Sequence, residues 1–262
     1  MYRLFLAVLF SLCASGAAAS YQSTKLVYTV SWGNILLAKS KLDYKFGTGD
    51  ARILASVDSD GFIAFFSSFQ SRAKADLVLK DAGWTPKTLF MERISGRKKV
   101  QSRVAWDDDS NVSTESRMPE LDLDEVYPLT AQMRVNVLDP YSAVLRLIRH
   151  IETTGDCTKS YEIYDGRRRN RLHFKTLGTT ILTKTRPGEF VGNTLICSLK
   201  FEPIGGHQIN SKWRSGEKDD NDRIKMFFGR PLKGQIVPVR VEVDSWIGTV
   251  VGRLDLRKMT IK

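Results

Sequence analysis

The chain has 262 residues, a formal net charge of +11 and three cysteines. That length suits one large domain or two small ones. The only long apolar run lies at the very start and falls short of the roughly 20 residues a spanning helix needs, which excludes a stable membrane span.

That first segment reads as a secretory signal. Arg3 supplies a positive start, Leu4 to Leu12 is apolar apart from Ser11, and Ala17-Ala18-Ala19 offers a cleavage site before Ser20. Cleavage near Ala19 leaves residues 20–262 as a single exported domain. Cys13 raises a lipid-modified alternative, but Leu12 stands before it where a small residue is expected. Export redirects the reading of the basic charge. The acidic partners outside the cytoplasm are lipid phosphates, lipopolysaccharide and wall polymers rather than nucleic acid, and the plain alternative is that charge only keeps the protein soluble. Cys157 and Cys197 alone survive cleavage. In an oxidising compartment they are expected to pair.

Taken in order, the elements are mostly strands with alternating apolar residues. Leu26, Tyr28, Val30 and Trp32 share one face of the first. Gly33-Asn34 turns into a second, Ile35 to Phe46, and Ile53, Ala55 and Val57 begin a third. Gly61 to Ser68 is an apolar patch, a short helix or a bulge. Phe69 to Leu79, Lys87 to Ile94 and Lys98 to Trp106 are further strands, and Asp107 to Pro128 reads as a long acidic loop.

One helix follows. Asp139 can cap it, Pro140 suits its first position, and Val144, Leu147, Ile148 and Ile151 form its apolar face. It is expected to cover an open side of the sheet. Tyr164-Asp165-Gly166-Arg167 then signals a tight hairpin. A two-residue turn centred there pairs Ile163 with Arg168 and Glu162 with Arg169. One face carries Cys157, Tyr161, Ile163, Leu172 and Phe174, and the other carries Glu162, Tyr164, Arg167, Arg169, Arg171 and His173. The strand from Phe190 to Phe201 puts Val191, Leu195, Cys197, Leu199 and Phe201 together, so both cysteines face inward. Gly205 to Gln235 reads as exposed loop. The last two strands hold Val239, Val241 and Val243, then Leu254 and Leu256. The sum is an all-β fold: a large curved antiparallel sheet of roughly eleven strands, forming an open or spiral barrel with one main helix.

Catalytic patterns are sparse. There is no G-x-S-x-G elbow, and His150, His173 and His207 are scattered without zinc spacing. The acids Asp107 to Asp109 and Asp219, Asp220 and Asp222 read as solvated turns rather than a glycosidase pair. No enzyme activity, metal or cofactor is expected. Arg167, Arg169 and Arg171 are the candidate anion ladder, about 7 Å apart on alternate positions of one strand. The plain alternative is a solvated strand face partly neutralised by Glu162. Trp213 and Trp246 are candidate ligand-contacting aromatics.

The segments LDPYSAVLRLIR (138–149), YDGRRR (164–169), Cys197 with Pro203-Ile204-Gly205, and PVRVEVDSWIG (238–248), together with the early GFIAFFS, carry a resemblance. Over most of its length the chain resembles an uncharacterised proteobacterial family of exported proteins, a domain of unknown function. More distantly it is similar to spiral β proteins of the periplasm linked to envelope integrity. The resemblance implies a periplasmic, barrel-like or spiral β protein and brings no catalytic residues. The function expected is a non-enzymatic envelope protein that binds a lipid, a wall polymer or another periplasmic protein. The alternatives are a lipid or lipoprotein carrier and a wall hydrolase or transferase.

Overall fold

A computed structural model describes residues 22–61, 68–120, 122, 124–209, 223–231, 234–245 and 248–261. The leader with its cleavage point, most of the GFIAFFSS run, Trp213 and Trp246 lie outside the described residues. Among the described residues no helix is long and apolar enough to cross a membrane.

The chain opens with seven strands joined as a meander: β1 (Gln22–Trp32), β2 (Ile35–Phe46), β3 (Asp50–Ser59), β4 (Phe69–Lys80), β5 (Gly83–Ser95), β6 (Lys98–Trp106) and β7 (Val112–Met118). Helix α1 (Pro140–Thr154) follows, then β8 (Lys159–Tyr164), β9 (Arg169–Leu182), β10 (Gly192–Gly205), β11 (Ile224–Gly229), β12 (Val237–Ser245), β13 (Gly248–Leu254) and β14 (Thr260–Ile261). All belong to one antiparallel sheet in the order β7-β6-β5-β4-β3-β2-β1-β13-β12-β11-β10-β9-β8, with β14 also paired to β1. The sheet is an open barrel whose two edges, β7 and β8, do not pair with each other.

Two stretches expected as loop contain strands. Asp107 to Pro128 holds β7, and Gly205 to Gln235 holds β11. The sequence of β7, VSTESRM, lacks the apolar alternation of a half-buried strand because β7 lies at an edge and its inward positions are charged. β11, IKMFFG, is buried at four consecutive positions, so it shows an apolar run instead of alternation.

Register explains how the concave face is built. Tyr44, Ile53, Ala75, Leu89 and Val104 form one cross-strand row over β2 to β6, and the pairing ends at Glu115 of β7. The next row runs Leu26, Leu42, Ala55, Ala73, Met91, Ser102 and Arg117. The row beyond runs Tyr28, Ser40, Val57, Ser71, Arg93 and Val100. The first row packs into a cluster with Leu26, Tyr28, Trp106, Phe227 and Leu254. Such side chains each contribute about 1.5–3 kcal/mol when fully buried. The expected face of β1 breaks at a bulge between Val30 and Ser31: Ser31 turns inward and is buried, while Trp32 is exposed.

Helix α1 packs against β5 and β8. Asp139 caps it, its carboxylate accepting from the Tyr141 amide at 2.8 Å and from Ser142, and Pro140 begins it. Gly155, at φ +72°, ends it. Its buried face is Ala143, Leu147 and Ile151, with Leu145 turned toward the larger cluster; Val144, expected inward, is half-buried. Ala143, Leu147 and Ile151 pack on Cys157, Ile163, Leu172, Phe174 and Cys197. Cys157 and Cys197 form the expected disulfide, with Cα atoms 6.2 Å apart. Val191 and Phe201, expected with Cys197 on the inner face, are exposed. Leu256, expected to continue the last strand, begins a short 3-10 turn.

Candidate anion site at the barrel seam

The β8–β9 hairpin is wider than a two-residue turn. Tyr164 pairs with Arg169, Ile163 with Asn170 and Glu162 with Arg171. A carboxylate sets the wider loop: Asp165 accepts from the amides of Arg167 at 2.9 Å and Arg168 at 2.7 Å, and receives the Arg168 guanidinium as a fork. The pairing moves by two residues, so each side chain keeps the face expected for it. Arg167, however, leaves the strand and joins the loop.

The arginine ladder is therefore divided. Arg169 and Arg171 both bind Glu162, Arg171 at 2.6 Å. Arg171 also lies 3.3 Å from Glu202, which His173 contacts at 2.8 Å. Burial alone would raise the Glu162 carboxyl, but hydrogen bonds and charge from Arg171 and Arg169 hold it below its ordinary value. A cleft of about 640 Å³ opens beside this group, lined by Gln132, Met133, Asn136, Glu162 and Arg169 among others. Its one cation, Arg169, is already matched by Glu162 and donates to the Gln132 carbonyl.

Arg167 has a different setting. The hairpin tip crosses the open seam and sits on the concave face of β6 and β7. Ser102 Oγ donates to the Asp165 carbonyl at 2.9 Å, and Arg117 Nε donates to the Gly166 carbonyl at 2.5 Å. Gly166 has φ +86°, and a Cβ there would stand 2.7 Å from the Ser102 Cβ and 2.8 Å from Val104. Only glycine fits both the backbone angle and the space. Beside it Tyr164, fully buried although expected on the outer face, donates to Glu115 at 2.6 Å and accepts from Arg117 at 2.7 Å. Burial, then the Glu115 carboxylate, pushes the Tyr164 hydroxyl up to about 12. Burial would raise Glu115 too, yet Tyr164, Arg117 and Arg134 hold it below its ordinary value. Arg134 Nε lies 3.0 Å from Glu115 without hydrogen-bond alignment, so that contact is Coulombic.

Arg167 itself donates to the Pro119 carbonyl at 2.8 Å, just past the end of β7. Arg93, paired with Val100 of β6, lies close enough for its charge to act on Arg167. Burial, followed by the charge of Arg117, lowers the Arg167 guanidinium; Asp165 opposes this, and Arg168 and Arg93 add to it. Five guanidiniums gather here, Arg93, Arg117, Arg134, Arg167 and Arg168, against Glu115 and Asp165. Among the described residues no carboxylate lies within ion-pair distance of Arg93 or Arg167.

A second arginine group works as a clasp. Arg186, on the β9–β10 loop, donates to Ser31 Oγ and Asn34; Arg253 donates to the same hydroxyl at 2.9 Å and pairs with Glu189 at 3.0 Å. The void beside it holds about 10 Å³, the room of a single water.

Sequence reasoning found Arg167 and missed Arg93, Glu115, Arg117 and the burial of Tyr164. Of these, Arg93 alone carried a signal: on β5 the alternation of Leu89, Met91 and Arg93 places an arginine on an otherwise apolar face. Among the described residues no group of three His, Cys, Asp or Glu side chains is arranged to hold a metal.

No curated protein matches the chain. A solved β-barrel-like protein of the DUF1849 domain of unknown function, from Brucella abortus, is similar over 92% of this chain and 98% of its own, with a TM-score of 0.46 and 9% identity. A family model described as a protein of unknown function, DUF3108, matches residues 27–255. With the seam between β7 and β8 inside that span, the chain belongs to the DUF3108 family.

Proposed function

We propose that this is an exported, non-enzymatic protein of the periplasm that supports the cell envelope by binding one of its anionic components. The observation that carries the reading is the excess of arginine where the hairpin tip meets β7. Arg93 and Arg167 stand there without carboxylate partners among the described residues, on the same face as the sheet's concave rows. Guanidinium forks match phosphate and carboxylate geometry. The disulfide agrees with an oxidising compartment, where such bonds persist. Deletion of the gene is expected to sensitise the parent organism to detergents and wall-active antibiotics. A deletion strain as resistant as its parent removes the envelope role.

One observation favours the more specific carrier reading. The concave face of β2 to β4 holds Ala38, Ser40, Ala55, Val57, Ser59 and Ser71, small residues that are only partly buried. A carrier accelerates transfer of fluorescent phospholipid between donor and acceptor vesicles. Transfer at the protein-free rate sinks this second reading.

A further inference from the structure

We propose that Arg93 and Arg167 hold the phosphate of a lipid headgroup whose acyl chains lie along the concave rows of β2 to β5. The inference rests on the envelope-binding reading above and names the ligand for its site.

Three features of the geometry carry it. First, Arg93 is exposed and Arg167 only partly buried, so an anion can reach both. The charge of Arg93 reaches the Arg167 guanidinium, and arginine side chains are long enough for both forks to converge on one phosphate. Second, the neighbours that might quench them are committed elsewhere. Glu115 is shared by Arg117, Arg134 and Tyr164, and Asp165 is taken by Arg168 and two backbone amides. A phosphate entering between Arg93 and Arg167 therefore meets an excess of positive charge, with Asp165 acting on Arg167 only from beyond ion-pair distance. Third, the row that contains Arg93 continues as Ser71, Val57 and Ser40, and the adjacent row as Met91, Ala73 and Ala55. Leading away from the arginines, the surface is apolar or small, with Ser40 and Ser71 the polar exceptions. Charge at one end and an uncharged surface of mostly small residues beside it match an amphiphile better than a free anion or a charged polymer, which would leave that surface unused. The ladder partners Arg169 and Arg171 do not offer this combination, because Glu162 and Glu202 already neutralise them.

The test is isothermal titration of the purified protein with three probes: dihexanoyl phosphatidylglycerol below its micelle concentration, the same lipid with a choline headgroup, and inorganic phosphate. The expected order is phosphatidylglycerol well ahead of the other two. Arg93→Gln and Arg167→Gln each weaken phosphatidylglycerol binding at least tenfold, the effect of losing a charge-assisted hydrogen bond. Arg171→Gln, which removes an equal charge already paired with Glu162, leaves it within twofold. Thermal melts of the variants confirm folding; Arg93, exposed on its strand, is the variant least able to disturb it. Equal affinity for inorganic phosphate overturns the lipid and assigns a simple anion. Equal losses in all three variants overturn the site, since general charge then explains the binding. No binding of any probe overturns the inference, while the deletion phenotype still decides the envelope role separately.

Discussion

Tyr164 shows how much a single hydroxyl can hold at a seam. Its ring is fully buried, and its oxygen links Glu115 and Arg117 across a gap that no backbone ladder closes. Tyr164→Phe keeps the ring and removes the link, leaving a half-buried carboxylate and guanidinium each short of one hydrogen bond. The expected loss is about 1–3 kcal/mol, read from the shift in urea midpoint at unchanged slope. The same group makes stability depend on acid. The Glu115 and Glu162 carboxyls, despite burial, are held below the ordinary value of 4.5 by their arginine and tyrosine partners. An acid depressed in the folded state stabilises fully above its unfolded value and loses that contribution as pH falls through the folded one. Stability is thus expected to be flat near neutrality and to decline below pH 4.5. In Glu115→Gln that acid-side decline should become shallower; an unchanged slope would show that Glu115 is not coupled to folding.

At the scale of elements, the hairpin tip is the part that makes an open sheet behave as a barrel. Gly166→Ala forces a Cβ to within 2.7 Å of Ser102 at a positive φ, and more than 1 kcal/mol of destabilisation is expected. The signature is local. Amides of β8 and of the loop at 165–168 should exchange faster with solvent while those of β3 and β4 keep their protection, because β3 and β4 sit inside the meander. Uniform protection would mean the tip does not secure the seam. This element also shows what the sequence made legible. Asp-Gly announced the hairpin, and parity alone placed Cys157, Ile163, Leu172 and Phe174 on one face, as found. The two-residue shift in pairing came from Asp165 acting as acceptor for two amides and a guanidinium. Nothing in the dipeptide distinguishes that loop from a tighter one. β7 was hidden for a related reason. Its inward residues, Glu115 and Arg117, are polar, and what makes them inward is a tyrosine 47 residues from Arg117. Hydrophobic periodicity reports burial in apolar surroundings and is blind to a polar seal.

For the whole molecule, one disulfide locks the connection after the helix onto β10. Cys157 lies at the end of the helix connection, and Cys197 lies on β10, two strands in from the β8 edge. With the cysteines 40 positions apart, the chain-entropy model gives about 4 kcal/mol. The double variant Cys157→Ser, Cys197→Ser should lose about 2–5 kcal/mol in denaturant titration and become indifferent to added reductant. A wild-type protein equally stable with and without reductant would mean that the bond contributes nothing. Globally the fold was legible because alternation is strong wherever one face packs on the core, as in β3 and β4. The site was legible only in part, since Arg167 gains its meaning from Arg93 and Arg117, which are remote in sequence and adjacent only through register.

The central claim is that the arginines at the hairpin tip hold an anionic component of the envelope. Native mass spectrometry of the protein gently isolated from its own cells tests it most directly. A bound species with the mass of a phosphate-bearing lipid is expected in the wild type and not in the Arg93→Gln, Arg167→Gln double variant. Bare protein in both preparations, or the same adduct in both, would contradict it.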